Sequence, residues 1–527
     1  MLLTEIEFLI GQICNSAQNH PHFFFVLLLL FVSSTSVLVW RLFSFTLGPY
    51  LHASEPKELP YWVPFLGHAI AFIKGQDDLF TYARVYFGDT REPFIVTLGR
   101  EKLYILTAYQ DVIAAYKNLT TLNYGEVIRD LAGSFGLSKS GLDKLYAPNP
   151  MFKDEIQRLN PQLKSLFDLK SDFYHIQLQH PEQLTIIQAK FLSLIDNAMR
   201  AEMLPDGISI PGHEEKTTVS LYKLCQQVFV KAGLRAFFGE QILTMDPDLL
   251  SNFIDFDNNN WMIWYNWPKA PQARDPMEKV KKTIESYLTL PKTDRPGAAW
   301  LISTMEEAQR QLGMEDGDIA IVLLMFIVNT NAYRVAFWAL AYIMHSPTLY
   351  ETIHTETAPA INADGTVNAG YLVTKCPHLH SLWLEVLRMV NGASAARAVV
   401  SPTTIGTKTL KPGYKVLSPF RQLHFDPQIY PNPNQCDPDR FFRDKTLERH
   451  PSFKPFGGGV TKCPGRNVAR QEVFVFVGLV LHRFAGKLAS GVSSGEQPFP
   501  RMQFATPTTG VVDPRPGEDV AIKLYFD

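Results

Sequence analysis

One cysteine in a glycine-rich loop constrains this chain more than any other feature. The run FKPFGGGVTKCPGRNVAR, from Phe453 to Arg470, places Cys463 after Gly457, Gly458 and Gly459 and just ahead of a Pro464–Gly465 turn. A strongly apolar stretch, Val473 to Phe484, follows and reads as a buried helix. Gly457, Gly458, Gly459 and Gly465 allow close backbone approach, and Pro464 can open the helix behind the turn. A rigid loop that turns backbone N–H groups towards a sulfur is what a thiolate ligand to iron requires. The plainer alternative is a buried cysteine in a tight turn, because free cysteine is commonly buried.

Composition bounds the rest. At 527 residues the chain can form two or three average domains or one large fold. A hydrophobic content of 46% with 12% aromatic residues supplies a large core, and a net charge of −2 leaves no nucleic-acid footprint. The cysteines Cys14, Cys225, Cys376, Cys436 and Cys463 are scattered and form no CxxC pair. That pattern argues against a disulfide scaffold or a zinc site and for a reducing compartment around the main body.

Phe23 to Trp40 carries no charge. As a helix at about 1.5 Å per residue it just spans a bilayer core. The residues before it lack Lys and Arg and include Glu5 and Glu7, whereas Arg41 follows it. A cleaved signal peptide would need the opposite flank. Positive-inside logic then sets the N-terminus in the lumen and the body in the cytosol. The expected organisation is a luminal N-terminus (1–22), a transmembrane anchor (23–44), a proline-rich lead (45–67) stiffened by Pro56, Pro60 and Pro64, and one domain from 68 to 527.

Within that domain, Phe94–Gly99 and Lys102–Thr107 read as strands around a turn, and long helical stretches follow from about Gln110 to His354. Asn252 to Pro271 concentrates Trp261, Trp264, Tyr265 and Trp267, which suits either core or a membrane interface. The strongest helical pattern runs from Asp318 to Met344 and is apolar nearly all round, as a buried helix must be. Only Asn329, Thr330, Asn331 and Arg334 interrupt it, and polar groups in such a place are costly enough to mark a site. Downstream, Glu385 and Arg388 lie on one face of an apolar helix, and Arg440 stands in a DPDRF segment. A buried Glu–Arg pair needs such a further partner.

These motifs, in this order, resemble the cytochrome P450 family. Phe456-x-x-Gly459-x-x-x-Cys463-x-Gly465 resembles its haem-thiolate signature, and Glu385, Arg388 and Arg440 its structural ion cluster. The entry segment Pro60–Phe72 is most similar to the branch of sterol 7α- and 12α-hydroxylases and prostacyclin synthase. The resemblance implies a mainly α fold, a helical prism around the cofactor with a minor β section, preceded by the transmembrane helix. It implies haem b with Cys463 as axial thiolate, Phe456, Gly457 and Gly465 around the cofactor, and Arg397 on a propionate. Thr461 stands where a second basic propionate ligand is usual. Thr330, Asn331 and Ala332 fall on the distal side, with Asn331 at the family's acid position and Ala332 at its threonine.

The implied activity is a monooxygenase that hydroxylates or oxidises an apolar sterol, terpenoid, polyketide or lipid with O2 and NADPH-derived electrons. The implied partners are NADPH-cytochrome P450 reductase, cytochrome b5 and the endoplasmic reticulum membrane. Lys454, Lys462, Arg466 and Arg470 make the basic surface an acidic flavoprotein would meet. Ala332 keeps open a redox-neutral isomerase of the prostacyclin synthase type.

Overall fold

The computed structural model describes residues 21–204, 207–209, 218–265, 267, 269–327, 330–489, 497–508 and 510–525. The expected luminal segment therefore lies almost wholly outside the described residues. Helix α1 (Pro21–Leu42) continues through a π-helical turn, Phe43–Leu47, into Gly48–Leu51. Over Phe25–Leu51 it has a mean hydropathy of 2.0, none of it buried, and it is long and apolar enough to cross a membrane. Where it meets the body, Arg41 stacks on the Trp62 ring at 3.8 Å, and Trp40 and Phe45 both pack on Tyr61.

The proline-rich lead contributes a strand of its own. Strands β1 (Lys57–Glu58), β2 (Phe94–Leu98), β3 (Glu101–Ile105), β4 (Leu122–Asn123), β5 (Ser394–Val399) and β6 (Lys415–Pro419) form one sheet in the order β1-β2-β3-β6-β5-β4. The hairpin read from Phe94–Gly99 and Lys102–Thr107 is β2 and β3, paired antiparallel from Phe94 opposite Ile105 to Leu98 opposite Glu101. Runs of β-branched and aromatic residues such as Ile95, Val96 and Tyr104 fit that pleated, buried surface.

Helices make up the bulk: α2 (Tyr124–Ser134), α3 (Leu166–Gln179), α4 (Leu221–Phe238), α5 (Leu249–Asn259), α6 (Pro271–Thr289), α7 (Asp316–Ile327), α8 (Ala332–Met344), α9 (Pro377–Val390) and α10 (Arg466–Gly478). Helix α8 is the hub, packing on α4, α9 and α10. Val335, Phe337, Trp338, Leu340 and Ile343 are buried on all sides of it, so no face is left for water. Each such side chain contributes on the order of 1.5–3 kcal/mol of transfer free energy.

Here the sequence expectation needs correcting. The pattern from Asp318 to Met344 reads as one helix, yet α7 is described as far as Ile327 and α8 begins at Ala332, with Thr330 and Asn331 outside both. Residues 328 and 329, including Asn329, lie outside the described residues. The side chain of Asn331 does not cap α8; it accepts a hydrogen bond from the backbone of Val511 instead, at 2.8 Å. A tertiary contact has replaced the helical one, which is how context overrides local pattern.

A buried charge cluster ties α9 to the chain that follows. Glu385 is fully buried; it accepts from Arg388 Nε (2.8 Å) and Nη2 (2.7 Å), from Arg440 Nε (3.1 Å) and from the Asp437 backbone (2.9 Å). Arg388 also donates to the carbonyl oxygens of His424 and Pro433, and Arg440 donates to that of Pro431. Removing one partner leaves a buried charge uncompensated, at about 3–5 kcal/mol. Arg388→Ala is therefore expected to yield little folded, haem-loaded protein, measured as the haem-to-protein absorbance ratio after purification. A variant that loads haem normally would show that the cluster does not hold this fold.

Candidate active site

The cysteine loop is built by close packing. Residues Gly457 and Gly459 have φ of +70° and +58°, the left-handed region that favours glycine. A Cβ on Gly458 or Gly459 would stand 3.2 or 3.1 Å from the Tyr116 ring, so the loop lies flat against that ring. By contrast, no protein atom crowds Gly465. The Cys463 N–H donates to Phe456 O at 2.9 Å, and Arg466 Nη1 donates to Cys463 O at 2.9 Å. Helix α10 starts at Arg466, so the sulfur sits at the positive end of its dipole.

Burial pushes the Cys463 thiol up, and it is opposed by the backbone N–H of Gly465 and then by the charge and N–H of Arg466. The residue is nonetheless exposed by area, because its open side faces a cavity within the protein. Those N–H groups and that charge are the ones that would stabilise a thiolate here. Cys225, Cys376 and Cys436 lack that setting: burial raises each of their thiols too, and none of them lines the cavity.

The cavity measures about 1210 Å³. Cys463, Phe456, Gly457 and Gly465 line it from the loop side, and Thr330, Asn331 and Ala332 line it from the start of α8. Arg397, on β5, lines it too, with its guanidinium 5.1 Å from the Tyr116 ring centre and 5.9 Å from that of Tyr124. All eight residues singled out in the sequence thus meet in one space. Thr461 also lines it, but its hydroxyl donates to Gly458 O at 3.1 Å, inside the loop.

The sequence did not point to several other lining residues. Tyr116 and Tyr124 flank Arg397, and burial raises both phenols, Tyr116 to about 12, with Arg397 opposing. Lys170, on α3, brings an amine whose pKa burial pushes down to about 7, with Asp168 opposing; it donates to Phe167 O at 2.7 Å. Gly510 and Val511 complete the wall beside Asn331. Nothing in their local sequence marks them; only their distance from Arg397 and Asn331 in the fold does.

Comparison with known proteins agrees with this geometry. The family model "Cytochrome P450" matches residues 235–511, more than half of the chain. The chain belongs to the cytochrome P450 family. It is an oxidoreductase that incorporates oxygen from O2, and family membership implies haem held by a cysteine thiolate. Cytochrome P450 monooxygenase poxD of Penicillium oxalicum is 25% identical over 460 residues, covering 82% of this chain and 87% of that protein. A cytochrome P450 monooxygenase of Gibberella zeae is 23% identical over 490 residues, covering 88% of each chain. The solved structure of retinoic acid-bound cyanobacterial CYP120A1 shares the fold, with a TM-score of 0.64 at 17% identity over 89% of this chain and 99% of that one.

The residues present fit the haem of a cytochrome P450. Arg397 is buried, its Nη1 has no hydrogen-bond partner among the described residues, and no carboxylate pairs with it there. A buried cation without a counter-ion is strongly disfavoured, and a propionate carboxylate would supply the missing charge. Hydrogen bonds to charged groups contribute about 1.5–3 kcal/mol, or roughly tenfold to a hundredfold in affinity. Arg397→Gln is expected to release haem to apomyoglobin faster by that order, with an unchanged thiolate absorption band before release. Equal transfer rates would remove Arg397 from the cofactor site.

Proposed function

We propose that this protein is a membrane-anchored haem-thiolate monooxygenase that hydroxylates or oxidises an apolar terpenoid, sterol, polyketide or lipid, with Cys463 as the proximal ligand. The observation that carries this reading is the Cys463 sulfur. It faces the cavity beneath two backbone N–H groups, and the start of α8 lines the same space. Haem bound there would supply O2 activation, and the thiolate would favour O–O cleavage by donating electron density.

The chain's own residues set the conditions. Arg397 would hold a propionate of the haem; Phe456, Gly457 and Gly465 shape the wall on the cysteine side. Ala332 presents no hydroxyl, so protons enter through water or Thr330. Asn331 has an amide that can donate and accept but cannot shuttle a proton as a carboxylate does, and it orients substrate or distal water. Named relatives support the substrate class: an abscisic acid 8'-hydroxylase of Solanum lycopersicum is 26% identical over 296 residues, and a beta-amyrin 11-oxidase of Glycyrrhiza uralensis is 26% identical over 287.

Electrons come from NADPH-cytochrome P450 reductase, with cytochrome b5 as a further donor, at a surface carrying the exposed Lys462 and the half-buried Lys454, Arg466 and Arg470. The span Phe25–Leu51 holds the protein in the endoplasmic reticulum membrane with the catalytic body in the cytosol.

The reduced carbon monoxide complex is expected to show the red-shifted Soret band of thiolate ligation. Cys463→Ala is expected to abolish the band and Cys436→Ala to leave it, and the reverse result would sink the assignment. One observation favours a second reading: the methyl of Ala332 stands where a proton-relay hydroxyl is usual. Product formation by purified enzyme without NADPH or reductase would establish that redox-neutral isomerase instead.

A further inference from the structure

The start of α8 is gripped by a strap from the C-terminal part of the chain. Asn331, just before the helix, and Arg334 and Trp338 on the same face of it each hold a different strap residue. Asn331 Oδ1 accepts from Val511 N at 2.8 Å, Arg334 Nε reaches Asp513 Oδ1 at 2.5 Å, and Trp338 Nε1 donates to Val512 O at 2.8 Å. The spacing i, i+3, i+7 places them in one row. On its other side the strap pairs with the end of α9: Gly392 N donates to Gly510 O and Val512 N donates to Val390 O, both at 2.9 Å. Asn391 then links this junction to the cysteine loop, donating to Pro455 O at 3.2 Å.

This arrangement decides which way the Asn331 amide points. A backbone N–H needs an acceptor, so only Oδ1 can face Val511, and the amide cannot flip without losing that bond. Gly510 packs flat beneath it: a Cβ there would overlap Oδ1 and stand 2.7 Å from Nδ2. Arg334 is itself locked by Asp257 Oδ2 at 2.9 Å and donates to Thr330 O at 2.7 Å, fixing the residue just before Asn331. Asn331 lines the cavity and is exposed to it, and among the described residues no acceptor meets its Nδ2.

We propose that the strap Gly510–Asp513 presents the Asn331 Nδ2 as a fixed hydrogen-bond donor, so that the site selects apolar molecules bearing an acceptor oxygen over bare hydrocarbons. This rests on the haem-thiolate reading of the same cavity and adds the substrate chemistry to it. Asn331 is the specificity-determining residue; Gly510 and Val511 are positioning residues that act through it. The wall next to Asn331 supplies apolar contact from Ala332, Val335 and Val511, so a carbonyl or ether oxygen placed against it is what this donor distinguishes.

Binding constants from the substrate-induced Soret shift test this without turnover. The probes are two matched pairs: the sesquiterpene valencene with its ketone nootkatone, and the steroid hydrocarbon androstane with androstanone. One neutral hydrogen bond predicts ketone binding about threefold to tenfold tighter than hydrocarbon in the wild-type protein. Asn331→Leu is expected to reverse the order within each pair, and Gly510→Ala, which displaces the amide without removing it, to abolish the preference. Ketone preference retained in both variants, equal affinities in the wild-type protein, or no shift with either ketone would overturn the inference. The carbon monoxide band is read on every sample. Its loss in the wild-type protein would instead overturn the haem-thiolate reading, so the two failures are distinguishable.

Discussion

Glu385 is the point on which the architecture depends. It is one carboxylate facing two guanidiniums, so the cluster with Arg388 and Arg440 carries a surplus positive charge deep in the protein. Neutralising that surplus needs dipoles, and the chain supplies them as carbonyl oxygens of Pro431, Pro433, His424 and Gln435. An irregular segment with few ladder hydrogen bonds of its own is thereby fixed by ion–dipole contacts rather than by secondary structure. From there the constraint passes to the cysteine loop, because His424 Nε2 accepts from Lys454 N at 2.9 Å at the loop's entrance. Burial and the neighbouring Arg388 push the His424 imidazole down to about 3, which keeps it neutral and able to accept.

A second buried cation organises the opposite wall. Arg334 lies between Asp257 on α5, Asp513 on the strap and the carbonyl of Thr330. Tyr333 donates to the same Asp257 at 3.1 Å, and Tyr222 donates to Asp513 at 2.5 Å. Two carboxylates and the Thr330 carbonyl accept from the guanidinium, and the two phenols donate to those carboxylates, which makes a charge at this depth tolerable. Helix α5, the hub helix α8 and the C-terminal strap are thus held by one group. Asn331 and Val511, which face the cavity from parts of the chain far apart in sequence, keep a common register for that reason.

Together the two clusters explain why the cavity is walled rather than loose. On one side Tyr116 backs Gly458 and Gly459, and on the other the strap backs Asn331. Arg397 stands between them as a buried cation that no carboxylate pairs among the described residues, an arrangement that an anion in the cavity would relieve. Binding of an anionic cofactor there would couple to the stability of the fold through that residue.

Much of this was legible in the chain itself. The glycine–cysteine spacing, the Glu385–Arg388 pair with Arg440 downstream, the uncharged run before Arg41 and the strand hairpin at Phe94 are short-range patterns. Each is set by backbone sterics, helical periodicity or transfer free energy, which act within a few residues. What the tertiary structure alone decided involves partners far apart in sequence. Thr330 and Asn331 stand outside both helices, and Asn331 bonds Val511, 180 residues away. The orphaned Arg397, the phenols beside it and the Lys170 amine are visible only once β5, α2 and α3 are brought together. Local sequence carries propensity and pattern, but which side chain answers a distant backbone group depends on how the whole chain closes.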